Sequence, residues 1–133
     1  MGAPILYPQE IEVYYIIPTI RKYLASFIKA TGKTQKEIAS ILHVRESTIS
    51  QYTTAKRGAT ITFSISIQEA IKTAATRITS TLDVIRETQH ILALIRTSGE
   101  LCSIHKQLSP FIPQNCNIIT MGCAQHLTKK EHP

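Results

Sequence analysis

Apolar residues recur at intervals of three and four along most of the chain, which is the spacing of one face of an α-helix. The first stripe runs through Ile20, Leu24, Phe27, Ile28 and Thr31. Gly32 follows it and is expected to close that helix. Later stripes occupy Ile67, Ala70, Ile71, Ala74, Ala75 and Ile78, and then Leu82, Ile85, Gln89, Leu92 and Ile95. This periodicity predicts an all-α protein.

Helix starts are marked by Ser or Thr followed three residues later by an acidic residue, a pattern in which the two residues satisfy each other's free amide groups. Three such capping boxes are predicted, at Thr34 with Glu37, Ser66 with Glu69, and Ser80 with Asp83. Pro18 is expected to be the first residue of a helix, where its missing amide proton costs nothing. The β-branched and aromatic stretch 11–17 fits either a strand or a buried helical turn. Residues 59–63 resemble a strand by residue type, or an extended connection.

The segment 34–58 has the pattern of two short helices joined by a tight turn. Ile38, Ala39 and Leu42 share one face of the first helix, and Val44, Ile49 and Tyr52 are the apolar anchors of the second. Two helices cross closely only where a small residue separates them, and Ala39 is that residue. The turn needs a residue that tolerates positive φ, which predicts that conformation for His43. The pattern is typical of a helix-turn-helix.

In a helix-turn-helix, the second helix enters the major groove of DNA with its N-terminal residues at the base edges. Arg45 is suited to pair with guanine, Gln51 with adenine, and Glu46 with the amino group of cytosine. The predicted DNA-binding residues are Thr34, Gln35, Arg45, Glu46, Ser47, Thr48, Ser50, Gln51, Thr54, Lys56 and Arg57. The same pattern of helices also occurs in proteins that never bind DNA.

Composition supports an anionic partner. The 133 residues carry a net charge of +6, and 43% of them are hydrophobic, enough for a packed core. Residues 1–62 hold eight Lys/Arg against four Asp/Glu, whereas the remainder holds seven against five. The basic excess therefore lies mainly in the half with the motif. No secretion signal or membrane span is evident, and three cysteines do not suggest a closed disulfide framework, so a cytoplasmic protein is expected.

The pattern divides the chain into a DNA-binding domain at 1–62 and a helical dimerisation and sensing region at 63–133. The stripe that begins at Leu82 has nearly heptad spacing. It fits the core-facing side of a monomer or the seam of a homodimer. We favour the seam, because one helix-turn-helix reads only a half-site and two-fold regulators pair two of them.

All three cysteines lie in the last third of the chain, and two are followed by a histidine three residues later. The predicted metal ligands are Cys102, His105, Cys116 and Cys123, with His126 as an alternative. Three thiolates and an imidazole suit zinc or an iron–sulfur cluster. The alternative is that these cysteines are buried packing residues or form a disulfide.

The segments Val13-Tyr-Tyr-Ile-Ile-Pro-Thr-Ile-Arg21, Thr34-Gln-Lys-Glu-Ile-Ala39 and Glu46-Ser-Thr-Ile-Ser-Gln-Tyr52 resemble a group of predicted archaeal transcriptional regulators with a DNA-binding domain of the lambda-repressor and Cro type. The resemblance covers residues 5–60 well and later helices in outline. It implies a cytoplasmic, dimeric regulator that binds promoter DNA and reads bases with residues 45–51. It also implies that the C-terminal cysteines hold a metal or cluster in some members. His43 replaces the usual turn glycine, and Arg45 replaces the usual small capping residue.

The resulting hypothesis is a sequence-specific transcriptional regulator that is not an enzyme and does not bind membranes. The main alternative is a protein-interaction module, antitoxin-like or an adaptor, that uses the helix-turn-helix as a scaffold. An enzyme or electron carrier built on the Cys/His group is a further alternative, although no acid–base pair accompanies that group.

Overall fold

The computed structural model describes residues 7–53, 61–109 and 111–116. Every regular element in these ranges is helical, which confirms the all-α class. The helices are α1 (Pro8–Ile11), α2 (Ile17–Lys29), α3 (Gln35–Leu42), α4 (Glu46–Thr53), α5 (Ile65–Ala75), α6 (Thr81–Thr97) and α7 (Glu100–Leu108), with a π-helical turn at Glu12–Ile16. Residues 61–64 have no regular secondary structure, and Ser64 has an extended backbone.

The ambiguous stretch at 11–17 is helical and joins α1 to α2 through the π-helical turn. The amide of Ile17 donates to the carbonyl of Glu12, five residues back. Pro18 is therefore the second residue of α2 inside a continuous helical rod, and the prediction that it begins a helix was wrong by one residue. Proline has no amide proton, so Pro18 cannot donate the usual helical hydrogen bond to a carbonyl four residues back. The backbone widens into the π-helical turn beside this missing bond. The hydroxyl of Thr19 donates to the carbonyl of Tyr15 at 2.7 Å.

Helices α2, α3 and α4 form a tri-helical unit in which α2 packs against both helices of the motif. The apolar faces predicted for this unit are buried: Ile20, Leu24 and Ile28 in α2, Ile38, Ala39 and Leu42 in α3, and Ile49 and Tyr52 in α4. Gly32 lies just beyond α2, with φ 100°, and donates its amide to the carbonyl of Lys29. The unit therefore has the connectivity that the hydrophobic pattern predicts.

Two of the three predicted capping boxes are present. Thr34 and Glu37 bond reciprocally at the start of α3, and these hydrogen bonds from Thr34 lower the pKa of Glu37. Ser80 and Asp83 do the same at α6, where hydrogen bonds from Thr79, chiefly that of its backbone amide, lower the pKa of Asp83. Each carboxylate thus stabilises a helix N-terminus.

The third predicted capping box, Ser66 with Glu69, was wrong. Helix α5 begins at Ile65, and Ser64 is its N-cap, accepting the amide of Ile67 at 3.3 Å. The carboxylate partner comes from another helix: Glu100 of α7 accepts the amide of Ser64 at 2.8 Å and its hydroxyl at 2.6 Å. A tertiary contact therefore takes the place of the local acidic partner.

One hydrophobic core spans the two predicted regions. Helix α2 packs on α5, α6 packs on α5 and on α3, and α1 contacts α7. A bidentate ion pair joins Glu12 to Arg96, with distances of 2.7 and 3.0 Å. In the described ranges, residues before and after position 62 share one core. The predicted boundary between residues 1–62 and 63–133 therefore remains a prediction about function.

The α6 stripe divides between core and surface. Leu92 and Ile95 are buried in the protein's own core, whereas the exposed fraction is 73% for Leu82 and 55% for Ile85. Gln89 is also exposed. The buried face of α6 consists of Val84, Glu87, Ile91, Leu92 and Ile95. A stripe with heptad spacing drifts around a straight helix, so neither the seam nor the core-facing interpretation holds over its whole length.

A buried carboxylate on α6 ties this helix to the turn that follows α5. Glu87 is 3% exposed and receives both Nε and Nη2 of Arg77, at 3.2 and 2.8 Å. These hydrogen bonds, with Arg86 and His90 nearby, hold the pKa of Glu87 below its ordinary value of 4.5. A carboxyl whose pKa is lowered on folding stabilises the protein above pH 4.5, and that contribution is lost as pH falls through the lowered pKa.

We expect Glu87→Gln to reduce stability at neutral pH and to flatten the loss of stability in acid. Urea unfolding at about pH 7 and about pH 3 measures both effects, because the difference from wild type should shrink at the lower pH. Glu69→Gln, which changes an exposed carboxylate on α5, is the control. An equal difference between Glu87→Gln and wild type at both pH values would contradict the assignment.

Candidate nucleic-acid interface

The turn between α3 and α4 has the predicted left-handed residue. His43 has φ 57° and ψ 47°, and its amide donates to the carbonyls that end α3. The amide of Val44 donates to the carbonyl of Ala39 at 3.0 Å. Histidine is among the residues that tolerate this conformation, although at a higher cost than glycine. The turn is therefore closed by backbone bonds that fix the angle at which α4 leaves α3.

Gln35 holds α4 against α3. Its side-chain amide donates to the carbonyl of Glu46 at 3.1 Å and to the hydroxyl of Ser50 at 2.6 Å. Gln35 and Ser50 were predicted to contact DNA, and here they contact each other across the motif. Two contacts therefore set the position of α4: the backbone bonds of the turn, and the side chain of Gln35 at the start of α3.

The N-terminal end of α4 presents polar groups to solvent. Arg45, Glu46 and Ser47 are exposed, while Thr48, Ser50 and Gln51 are half-buried. The carbonyl of Arg45 accepts the amides of Thr48 and Ile49, which makes Arg45 the residue before the first turn. A guanidinium has no acceptor atom and cannot cap amides, so its side chain is not used to close the helix.

The basic side chains near this end of the motif form no close ion pair among the described residues, although Lys33 is near enough to Glu37 to lower the pKa of that carboxyl. Among residues 7–53, 61–109 and 111–116, no carboxylate lies within ion-pair distance of Arg45, Lys33 or Lys36. Thr34 is exposed and its side chain caps α3. The remaining predicted contacts, Thr54, Lys56 and Arg57, lie outside the described residues. The described surface can therefore form charge-assisted hydrogen bonds with an anionic partner.

The predicted metal ligands are described only in part. Cys102 and His105 lie one turn apart on α7, where Cys102 is half-buried and His105 is buried. Cys116 is a buried free thiol, and its amide donates to the carbonyl of Pro113. Cys123 and His126 lie outside the described ranges. Within those ranges, no three His, Cys, Asp or Glu residues are grouped to hold a metal ion.

The metal hypothesis therefore rests on the sequence, because the described residues alone do not form a site. Stoichiometric zinc or iron in protein purified without oxygen would support it, and metal-free protein that is fully folded would rule it out.

None of the helices in the described ranges is both long enough and apolar enough to span a bilayer. The chain was also compared with protein-family models, with curated proteins and with solved structures, and no match was found in any of the three.

Proposed function

We propose that this protein is a sequence-specific DNA-binding transcriptional regulator that acts as a homodimer. The observation that carries the proposal is the exposed guanidinium of Arg45, without a carboxylate partner among the described residues, at the start of a helix held by His43 and Gln35. Base recognition requires side chains whose position is set before DNA binds. A helix held at its N-terminal half by the turn and by Gln35, with exposed polar groups at its N-terminus, meets that requirement.

The proposed mechanism places the start of α4 in the major groove. Arg45 donates two hydrogen bonds to O6 and N7 of a guanine. The side-chain oxygen of Gln51 is buried, so the pairing of Gln51 with adenine requires this side chain to turn outward when DNA binds. Glu46 accepts from the amino group of a cytosine and rejects bases that lack a donor there. Lys56 and Arg57 neutralise phosphates and contribute affinity without sequence preference. Lys33 and Lys36 add positive charge beside the same helix.

We expect Arg45→Ala to weaken binding to the preferred duplex by about 1–3 kcal/mol and to relax specificity at one base pair. The preferred duplex is first selected from a random pool with the full chain, and affinities are then measured on it and on a scrambled duplex over a salt series. Lys72→Ala removes an exposed lysine of α5, outside the helix-turn-helix, and is the matched control.

A pool that yields no enriched duplex, even at low salt, would contradict the regulator proposal. The helix-turn-helix would then be a scaffold for a protein partner. Affinity for DNA that is independent of salt would also contradict it, because phosphate contacts release counter-ions.

The homodimer proposal rests on the outer face of α6 and on the geometry of DNA recognition. Leu82 and Ile85 are exposed there, three residues apart on neighbouring turns of the helix. Large apolar side chains grouped on one surface favour association. One recognition helix reads only a half-site, and a two-fold dimer places two such helices about one turn of DNA apart.

We expect Leu82→Glu to convert the dimer to monomers, raising the dimer dissociation constant by about tenfold to a hundredfold. The change places an acidic residue in the first turn of α6, where it favours the helix, so unfolding does not explain dissociation. Sedimentation velocity measures the result. Ile65→Glu is the matched control, because Ile65 is 77% exposed in the first turn of α5. Equal effects of the two variants would argue against an α6 interface.

A further inference from the structure

An open groove lies between α2 and α6 and ends at the turn of the helix-turn-helix. Its lining comes from α2, from the end of α3 and from α6, and the hydroxyl of Thr81 at the start of α6 donates to the carbonyl of Ile41 in α3 at 3.0 Å. The groove has a volume of about 380 Å³, within the range of roughly 300–1,000 Å³ typical of small-molecule sites. Its position connects the body of the protein to the turn that fixes α4.

The walls of the groove combine an apolar surface with a cationic end. Ile17, Leu42 and Leu92 supply apolar surface, together with Val84 and Ile85. The basic side chains of Arg21 and His43 also line the groove, and His43 is itself the turn residue. Because the lining contains no acidic residue, the fixed charge of the groove is positive.

The guanidinium of Arg21 has no carboxylate within ion-pair distance in the described part of the chain. Arg21 is exposed and extends from the same helix as Ile17, one turn farther along. An anion placed there would exchange the water around this guanidinium for charge-assisted hydrogen bonds.

The length of the apolar wall limits the size of the ligand. Ile85 and Leu92 are seven residues apart on α6, or about 10 Å at 1.5 Å per residue. We propose that this groove binds a small amphipathic monocarboxylate, with its carboxylate at Arg21 and His43 and a medium-length hydrocarbon chain along Ile17 and Leu92.

A bound ligand touches the structural element that positions the recognition helix. Leu42 ends α3 and His43 is the left-handed turn residue, and both line the groove. A ligand that binds better to one arrangement of this turn changes DNA affinity by the same factor. This regulatory clause rests on the proposed DNA-binding function, whereas the binding site itself does not.

The test is isothermal titration calorimetry of the full chain with decanoate, kept below its micellar concentration, and with decanol as the uncharged counterpart. Saturable binding of decanoate, with decanol weaker, is expected. Arg21→Gln should weaken decanoate by about tenfold or more, the worth of a hydrogen bond to a charged group. Lys29→Gln, an exposed lysine on the same helix, should leave binding unchanged.

A second variant, Thr88→Trp, fills the groove from α6 and should abolish binding while circular dichroism shows the chain folded. Equal binding of decanol, or unchanged binding in Arg21→Gln, would overturn the proposal. The proposal would also be overturned if the wild-type protein failed to bind decanoate and Thr88→Trp lost the dimer. Those two results together would mean that a second copy of the chain covers the groove. The calorimetry uses no DNA, so its result does not depend on the regulator proposal. Failure of that proposal would appear only in the DNA-binding measurements. Decanoate binding that leaves DNA affinity unchanged would overturn only the regulatory clause.

Discussion

Replacing Ile71 with alanine is expected to lower the free energy of unfolding by about 2–5 kcal/mol. Ile71 of α5 is completely buried and belongs to the same hydrophobic core as Ile38 of the helix-turn-helix. Removing three carbon atoms leaves a cavity that the surrounding helices fill only in part. Because α5 packs directly on α2, the loss should be shared by residues on both sides of position 62.

Urea unfolding measures the size of this effect, and amide hydrogen exchange shows where it occurs. Protection of amides in α3 and in α5 should fall together, as expected of one cooperative unit. Ile65→Ala is the control in the same helix, since Ile65 is 77% exposed and its loss should cost less than about 0.5 kcal/mol. Reduced protection in α5 with wild-type protection in α3 would show that the two regions unfold independently.

Replacing Ala39 with leucine is expected to abolish specific DNA binding and to destabilise the fold by about 1–3 kcal/mol. Ala39 is 4% exposed, and its carbonyl accepts the amide of Val44 at the turn. A leucine in this packed position pushes α3 and α4 apart, which moves the groups at the start of α4. DNA affinity is measured at a temperature where circular dichroism shows the variant folded.

Ser40→Leu is the matched control for Ala39→Leu, because the neighbouring Ser40 side chain is exposed on the same helix. It adds the same apolar group without entering the core, so stability and DNA affinity should stay near wild type. A folded Ala39→Leu variant that binds the selected duplex normally would show that the crossing of α3 and α4 does not position the DNA-reading groups.

The features that the sequence predicted well depend on neighbours in the chain. The reciprocal bonds of Thr34 and Glu37 need only three intervening residues, and the same holds for Ser80 and Asp83. The left-handed backbone of His43 could be predicted because very few residues separate the apolar residues of α3 from those of α4, so the chain must turn sharply there. These features place the candidate interface, although its contact with DNA remains a prediction.

The features that the sequence could not predict depend on distant partners. The N-cap of α5 is Ser64 because Glu100 reaches it from α7, and no local pattern shows that pairing. The groove is lined by residues of α2 and α6 that are far apart in the chain. Only the three-dimensional structure shows that Arg21 and Ile85 line the same groove. In α6 the packing of Ile91 decides which residues turn outward, and a heptad count alone does not.

The ion pair between Glu12 and Arg96 has a consequence for synthesis of the chain. The two residues are 84 positions apart, so the carboxylate of Glu12 leaves the ribosome long before its partner exists. The turn and cap bonds of α3 and α4 join near neighbours and can form early, because short loops close at little entropic cost. We therefore expect the nascent α3 and α4 to gain their local bonds first, and the ion pair of Glu12 to form only after the end of α6 has emerged.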